Sequence, residues 1–230
     1  VNPRACFETD LNYLPVTQAK KLAVVGSGPA GMEFATTAAR RGHEVTLFES
    51  ASEIGGQFNL AKNIPGKEEF YQTIRYFKKQ IELTGVKLVL NKRVTAEDLE
   101  TFDEVILATG IIPRELKIEG AGLKKVVNYI DIIKGNQVAG KRVAVIGAGG
   151  IGFDVSEYLS TEDPKHAPSI QEWLKEWGID PNNEVRGGIE GIRPQIPVAP
   201  REIVMFQRTE GKVGAKLGKT TGWIHRTNLK

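Results

Sequence analysis

The sequence predicts an α/β fold in which two units open in the same way. Three observations carry this. Residues 21–25 (Lys-Leu-Ala-Val-Val) are a short apolar run ended by Gly26, the pattern of a strand buried in a parallel sheet. Residues 29–41 are rich in alanine, with Pro29 at the start, Arg40 and Arg41 at the end and Gly42 just beyond, which are helix boundary signals. The same order of apolar run, Gly-rich turn and helix returns at 141–160, with Gly147 lying 121 residues after Gly26.

The remaining elements follow in order. Residues 1–20 have no clear period and are broken by Pro3 and Pro15, so they read as a leader crossing a surface. Residues 44–49 are the second strand, and 21–49 make one βαβ unit. Phe70, Ile74, Phe77 and Ile81 recur every three or four residues, predicting a helix over 70–84 with one apolar face. Residues 86–90 and 103–109 read as strands, the second as a buried one. A short helix is expected from 131 to 134, a strand over 141–146 and a helix over 153–160. Residues 161–200 are punctuated by six prolines and read as an insertion, with one helical piece at 169–177 that puts Trp173 and Trp177 on one face. Insertions of this length are often binding loops. Residues 203–206 return to a strand, and 209–221 are rich in Gly and Lys. The expected organisation is a leader at 1–20, a first unit at 21–134 and a second at 135–230 carrying the insertion.

Composition narrows the function classes. The chain has 230 residues, 40% hydrophobic and 26% charged, with a net charge of +3. That is a globular balance, and the weak basic excess gives no reason to expect nucleic acid as a partner. No apolar run approaches the ~20 residues of a membrane span. One cysteine, Cys6, allows neither an internal disulfide nor an all-Cys metal cage. Val1 at the start leads us to expect a chain cut from a longer protein.

The chemistry lies in the turns. Gly26-Ser27-Gly28-Pro29-Ala30-Gly31 matches G-x-G-x-x-G between a strand and a helix. Gly26 permits the tight turn, Gly28 leaves room for a pyrophosphate, and Gly31 lets helix and strand pack closely. The helix N-terminus offers free N–H groups to phosphate. Glu49, 23 residues after Gly26, is the carboxylate expected to accept the hydroxyls of an unphosphorylated ribose. In the second turn, Gly147, Gly149 and Gly152 fill the three positions, with Gly150 between them. The strand at 203–206 is followed by Arg208, a cation suited to a 2′-phosphate and hence to NADPH over NADH. Both units therefore read as Rossmann-like, three-layer nucleotide-binding units. Gly55-Gly56-Gln57 allows close approach to a ligand, and Thr109-Gly110 ends a strand at the sheet edge where such folds bind ligands. No Ser-His-Asp set, metal spacing or paired carboxylates appear. We assign no catalytic side chain and no metal ligand; His225 is at most a polar contact.

These residues together resemble the two-dinucleotide flavoproteins. More narrowly, 1–6 (VNPRAC), 53–59 (EIGGQFN), 64–71 (IPGKEEFY), 147–154 (GAGGIGFD) and 217–226 (LGKTTGWIHR) resemble the FAD/NADPH-binding C-terminal region of bacterial NADPH-dependent 2,4-dienoyl-CoA reductases. The resemblance implies that Gly26, Gly28, Pro29, Ala30, Gly31, Glu49, Gly56, Gln57, Thr109 and Gly110 bind FAD. It implies that Gly147, Gly149, Gly150, Gly152 and Arg208 bind NADPH. Members of that family carry an N-terminal (β/α)8 barrel with FMN and a 4Fe-4S cluster. NADPH reduces FAD, electrons pass through the cluster, and FMN reduces the 2,4-dienoyl-CoA of unsaturated fatty acid oxidation. The resemblance further implies that Lys230 falls before the return that completes both units. It makes the barrel the partner of this region, the parent protein cytoplasmic, and the isolated region of little activity. Two alternatives stay open: a trimethylamine or histamine dehydrogenase-like protein with a vestigial nucleotide module, and a non-catalytic nucleotide-binding or docking domain.

Overall fold

The computed structural model describes residues 4–114, 117–164, 166 and 168–229. Val1–Pro3 of the expected leader, which open the VNPRAC stretch, and Lys230 lie outside the described residues. The chain forms two compact units. The first holds the described residues through Lys62 together with Glu69–Glu119; the second holds Asn63–Glu68 and the described residues from Gly120 on.

In the first unit, β1 (Lys21–Val25), β2 (Glu44–Phe48), β3 (Lys87–Val89) and β4 (Glu104–Leu107) form one parallel sheet in the order β3-β2-β1-β4. Val24 stands level with Leu47 on one side and Ile106 on the other. Parallel neighbours need crossover connections, and α1 (Pro29–Arg40) makes the first. Its Met32, Ala35 and Ala38 face Leu22, Val24, Val45 and Leu47. The long α3 (Glu69–Thr84) adds Phe77 and Ile81 to the same core, as the three-and-four spacing predicts. Val24, Met32 and Leu47 are fully buried, each worth roughly 1.5–3 kcal/mol of transfer free energy.

β4 departs from the expectation. It forms where the apolar run lies, but it is not buried: Val105 is 40% and Leu107 73% exposed. Among the described residues β4 is one of the two edges of the sheet, and helices pack on the face to which Ile106 points, so the alternate residues stay open. An apolar run marks a strand without telling central from edge. A short α2 (Phe58–Ala61), unanticipated, stacks Phe58 on Phe70 at 4.4 Å between centroids.

In the second unit, β5 (Arg142–Ile146) and β6 (Glu202–Phe206) pair in parallel, with α4 (Tyr129–Ile133) ahead of them. α5 (Gly150–Ser160) follows β5. It starts three residues before the expected position because its first turn is Gly-Ile-Gly, and glycine's poor helix propensity hides a helix start. α6 (Ile170–Trp177) is capped by Ser169 and Glu172 in a capping box and ends on Gly178 in the left-handed conformation. No α6 residue is buried, and its two tryptophan rings lie 6.0 Å apart. They lie side by side, tilted by 36°, with Trp173 exposed and Trp177 half-buried. α7 (Gly222–Asn228), also unanticipated, brings His225 edge-on to Phe153 of α5. No helix among the described residues is long and apolar enough to cross a membrane.

Candidate nucleotide-binding turns

The turn after β1 is built from backbone contacts that side chains would forbid. Gly26 has φ +104°, and its amide donates to the Phe48 carbonyl at 2.8 Å. A Cβ on Gly26 would lie 2.4 Å from the Ala108 carbonyl oxygen, and one on Gly31 would lie 1.9 Å from the Gly26 carbonyl oxygen. Gly28, the N-cap of α1, is different. A Cβ there meets nothing within 4 Å, so its missing side chain leaves space rather than avoiding protein. Pro29 occupies N1 of α1, Ala30 is exposed, and α1 carries no side-chain cap and no acidic residue in its first turn. Its first amides therefore have no partner within the helix.

Three further stretches close on this turn. The Gly55 amide donates to the Ser27 carbonyl at 2.9 Å, and a Cβ on Gly56, at φ +51°, would lie 2.9 Å from the Gly28 Cα. Gln57, exposed, is the N-cap of α2. Thr109 backs on to Gly26, 3.2 Å from where its Cβ would be, and Gly110 follows, exposed, at φ +73°. Glu49 leaves β2 beside Ser27. Its Oε2 accepts from the Ser27 amide at 2.9 Å and the Ser27 hydroxyl at 2.7 Å, and its Oε1 accepts from the Ala51 amide at 2.9 Å. The ten residues picked for the first turn thus gather at the carboxyl ends of β1, β2 and β4, where open α/β sheets bind ligands. Ser27, fully buried, is the polar residue that sequence reasoning missed. Its position inside the motif next to a strand-end carboxylate was the available signal.

Partial burial by itself pushes Glu49 upward, but hydrogen bonds from Ala51, Ser27 and Ser50 outweigh it, and the carboxyl is held below the ordinary carboxylate range. A depressed folded-state value contributes stability that is complete above the ordinary value and lost as pH falls through the folded one. Glu49→Gln should therefore melt below the wild type at pH 7, and the gap should close as the pH is lowered through that range. Thermal melts from pH 7 to pH 3 check this; a gap that persists or widens in acid contradicts it.

The turn after β5 repeats part of this geometry, although a Cβ on Gly147, unlike one on Gly26, would meet nothing within 4 Å. Gly147 has φ +116°, and its amide donates to the Phe206 carbonyl at 2.8 Å. A Cβ on Gly152 would lie 1.9 Å from the Gly147 carbonyl oxygen, and one on Gly149 or Gly150 meets nothing within 4 Å. α5 too has no side-chain cap and no acid in its first turn. By contrast, α4 and α6 are capped by Asn128 and Ser169. Arg208 is exposed, two residues beyond the β6 end that Gly147 joins. Asp154 of α5 pairs with Lys67 at 2.6 Å. Among the described residues no group of three or more His, Cys, Asp or Glu is placed to hold a metal.

Residues 20–166 match the family model described as pyridine nucleotide-disulphide oxidoreductase. The chain belongs to that family. As a pyridine nucleotide-disulphide oxidoreductase it is 28% identical to the metal reductase of Desulforamulus reducens over 100% of this chain and 34% of that protein. It is 35% identical to the cinnamate reductase of Clostridium sporogenes over 70% of this chain and 24% of that one. Among solved structures, 2-naphthoyl-CoA reductase in complex with 2-naphthoyl-CoA aligns with a TM-score of 0.67 and 31% identity over 100% of this chain and 38% of that one. Histamine dehydrogenase from Rhizobium sp. 4-9 aligns at 0.55 and 25% identity over 65% of this chain and 25% of that one. The chain thus spans well under half the length of these relatives. It is a flavin-dependent NAD(P)H oxidoreductase domain with an α/β, Rossmann-like fold.

Proposed function

We propose that this chain is the electron-input module of a 2,4-dienoyl-CoA reductase-like iron–sulfur flavoenzyme, taking FAD on the first turn and NADPH on the second. Both turns fit a dinucleotide: each has an uncapped helix N-terminus and an open Gly position in front of it. The observation that carries the reading is the convergence of Gly26–Gly31, Glu49, Gly55–Gln57 and Thr109–Gly110 at one sheet edge. Gly28 gives the pyrophosphate room, the first amides of α1 neutralise it, and Glu49 accepts from the ribose. Gly147, Gly149, Gly150 and Gly152 play the corresponding part toward NADPH, with Arg208 for the 2′-phosphate.

When bound, the two dinucleotides supply hydride donor and hydride acceptor; the protein supplies orientation and electrostatics. The residues assigned here bind and orient, and none of them moves a proton. The FMN barrel and the 4Fe-4S cluster belong to the proposed parent protein. The likeness to 2-naphthoyl-CoA reductase along the whole chain supports a CoA thioester as the parent's substrate. A vestigial nucleotide module, the histamine dehydrogenase-like alternative, is disfavoured because the second turn keeps the positive φ of Gly147, the close approach at Gly152 and the open position at Gly149.

Two measurements test this reading. A flavin absorption band, with FAD released on denaturation and the band bleached by NADPH, supports it. A purified parent protein that takes up no FAD refutes it. Arg208→Ala should weaken NADPH about tenfold or more while leaving NADH nearly unchanged, the loss of a charge-assisted contact to a phosphate. Equal losses for the two nucleotides remove the 2′-phosphate role.

A further inference from the structure

Glu49 follows the last residue of β2 with both carboxylate oxygens engaged. Oε2 accepts from the amide and the hydroxyl of Ser27, at 2.9 and 2.7 Å; Oε1 accepts from the Ala51 amide at 2.9 Å and the Ser50 hydroxyl at 3.3 Å. A carboxylate has about four acceptor positions, so the protein's own donors already fill the set. A ribose diol brings two more O–H donors, and some of the present ones must give way. The two amides are fixed by the backbone. The two hydroxyls are not equivalent. Ser50 is exposed and its bond is long, so its hydroxyl passes to water at little cost. Ser27 is closed off from solvent, at 0% exposure, and a hydroxyl that let go there would be a buried donor without a partner, which is costly. Amide and hydroxyl of one residue on one oxygen also fix that oxygen's position.

We propose that Ser27 is the positioning residue of the first turn: it locks Glu49 Oε2, so that Oε1, vacated by Ser50, is the oxygen offered to a ribose hydroxyl. The ribose part rests on the reading that this turn takes FAD; the lock itself does not. No charged side chain faces the carboxylate among the donors just named. Lys92, whose amide donates to the Glu49 carbonyl, has its ammonium paired with Asp98 at 2.6 Å. The hydrogen bonds that lower the Glu49 carboxyl include both Ser27 donors, so breaking the lock has a readout independent of any cofactor.

The experiment compares wild type, Ser27→Ala, Ser27→Cys and Ser50→Ala in the full chain. Cysteine keeps the branching of serine with a larger γ atom and donates only weakly, so it fills the space that alanine empties and separates lost packing from lost hydrogen bonding. The Glu49 carboxyl is followed by carbon-13 NMR through an acid titration without ligand, and FAD affinity is measured by equilibrium titration. S27A and S27C should both move the Glu49 titration upward and weaken FAD about tenfold, while S50A should change FAD affinity by about twofold at most. The lock is overturned if S27A and S27C leave the Glu49 titration in place, or if S27C behaves as wild type and S27A does not, since packing alone then explains the effect. A wild-type chain that binds no FAD overturns the ribose part together with the reading of the turn, and the titration still decides the lock.

Discussion

Replacing Gly31 with alanine is expected to destabilise the first unit by about 3 kcal/mol or more, at the high end for a single substitution. The added Cβ would sit 1.9 Å from the Gly26 carbonyl oxygen. Both partners are backbone, so no rotamer change relieves the overlap. Either the turn opens or α1 moves off the sheet. If α1 moves, Met32 and Ala35 withdraw from Val24 and Leu47, and the best-packed part of the core is lost. Gly26 cannot shift in compensation, because its amide is tied to Phe48 and its α-carbon is backed by Ala108 and Thr109. Thermal unfolding followed by circular dichroism should show a drop of about 10 °C. A melting curve within about 2 °C of the wild type would mean that α1 slides away at no cost, and the close-packing role of Gly31 would fail.

The second large effect is expected at Gly28, and it is of another kind. Alanine at Gly28 meets nothing within 4 Å, and the backbone there, φ −69° and ψ 179°, is extended and open to any residue. Stability should fall only by the N-cap difference between glycine and alanine, about 1 kcal/mol or less. FAD affinity should fall about a hundredfold, the loss of about two charge-assisted contacts, because the methyl group occupies the space assigned to the pyrophosphate. Flavin content of the purified variant and an equilibrium titration measure this, with the melting curve as control. Full FAD retention would mean that the phosphates do not lie against Gly28, and the reading of the first turn would have to be abandoned. Gly28→Ala and Gly31→Ala thus divide the motif into a position that makes space for a ligand and one that allows packing.

Much of the fold was legible because its periodicities are strong. The apolar run 21–25 and the Phe70, Ile74, Phe77, Ile81 spacing became β1 and α3. Ser169, Glu172 and Gly178 carry α6 in their residue types alone. α2 and α7 were not legible, since four and seven residues give too few turns for a period, and helices this short depend on tertiary packing. β4 was legible as a strand but not as an edge, because burial of alternate residues is decided by what packs on each face. The places of the glycines and of Glu49 at the strand ends were legible from spacing, and the role of Arg208 is part of the proposal; Ser27 went unread although its place between Gly26 and Gly28 was the available signal, because only the fold shows that its hydroxyl reaches Glu49.

The residue order by itself determined that each unit opens with a strand, a Gly-rich turn and a helix, and that an acid follows the first turn while a base follows the second strand of the other unit. Those are local properties: backbone freedom, periodicity and charge travel with the chain. Only the tertiary structure decided that Gly55–Gln57 and Thr109 close on the Gly26–Gly31 turn, that Ser27 holds Glu49 by two hydrogen bonds, and that β4 stands at the edge of the sheet. Each depends on segments 22 to 83 residues apart being brought into contact. That is set by how parallel strands register across crossovers, a property that no local pattern contains.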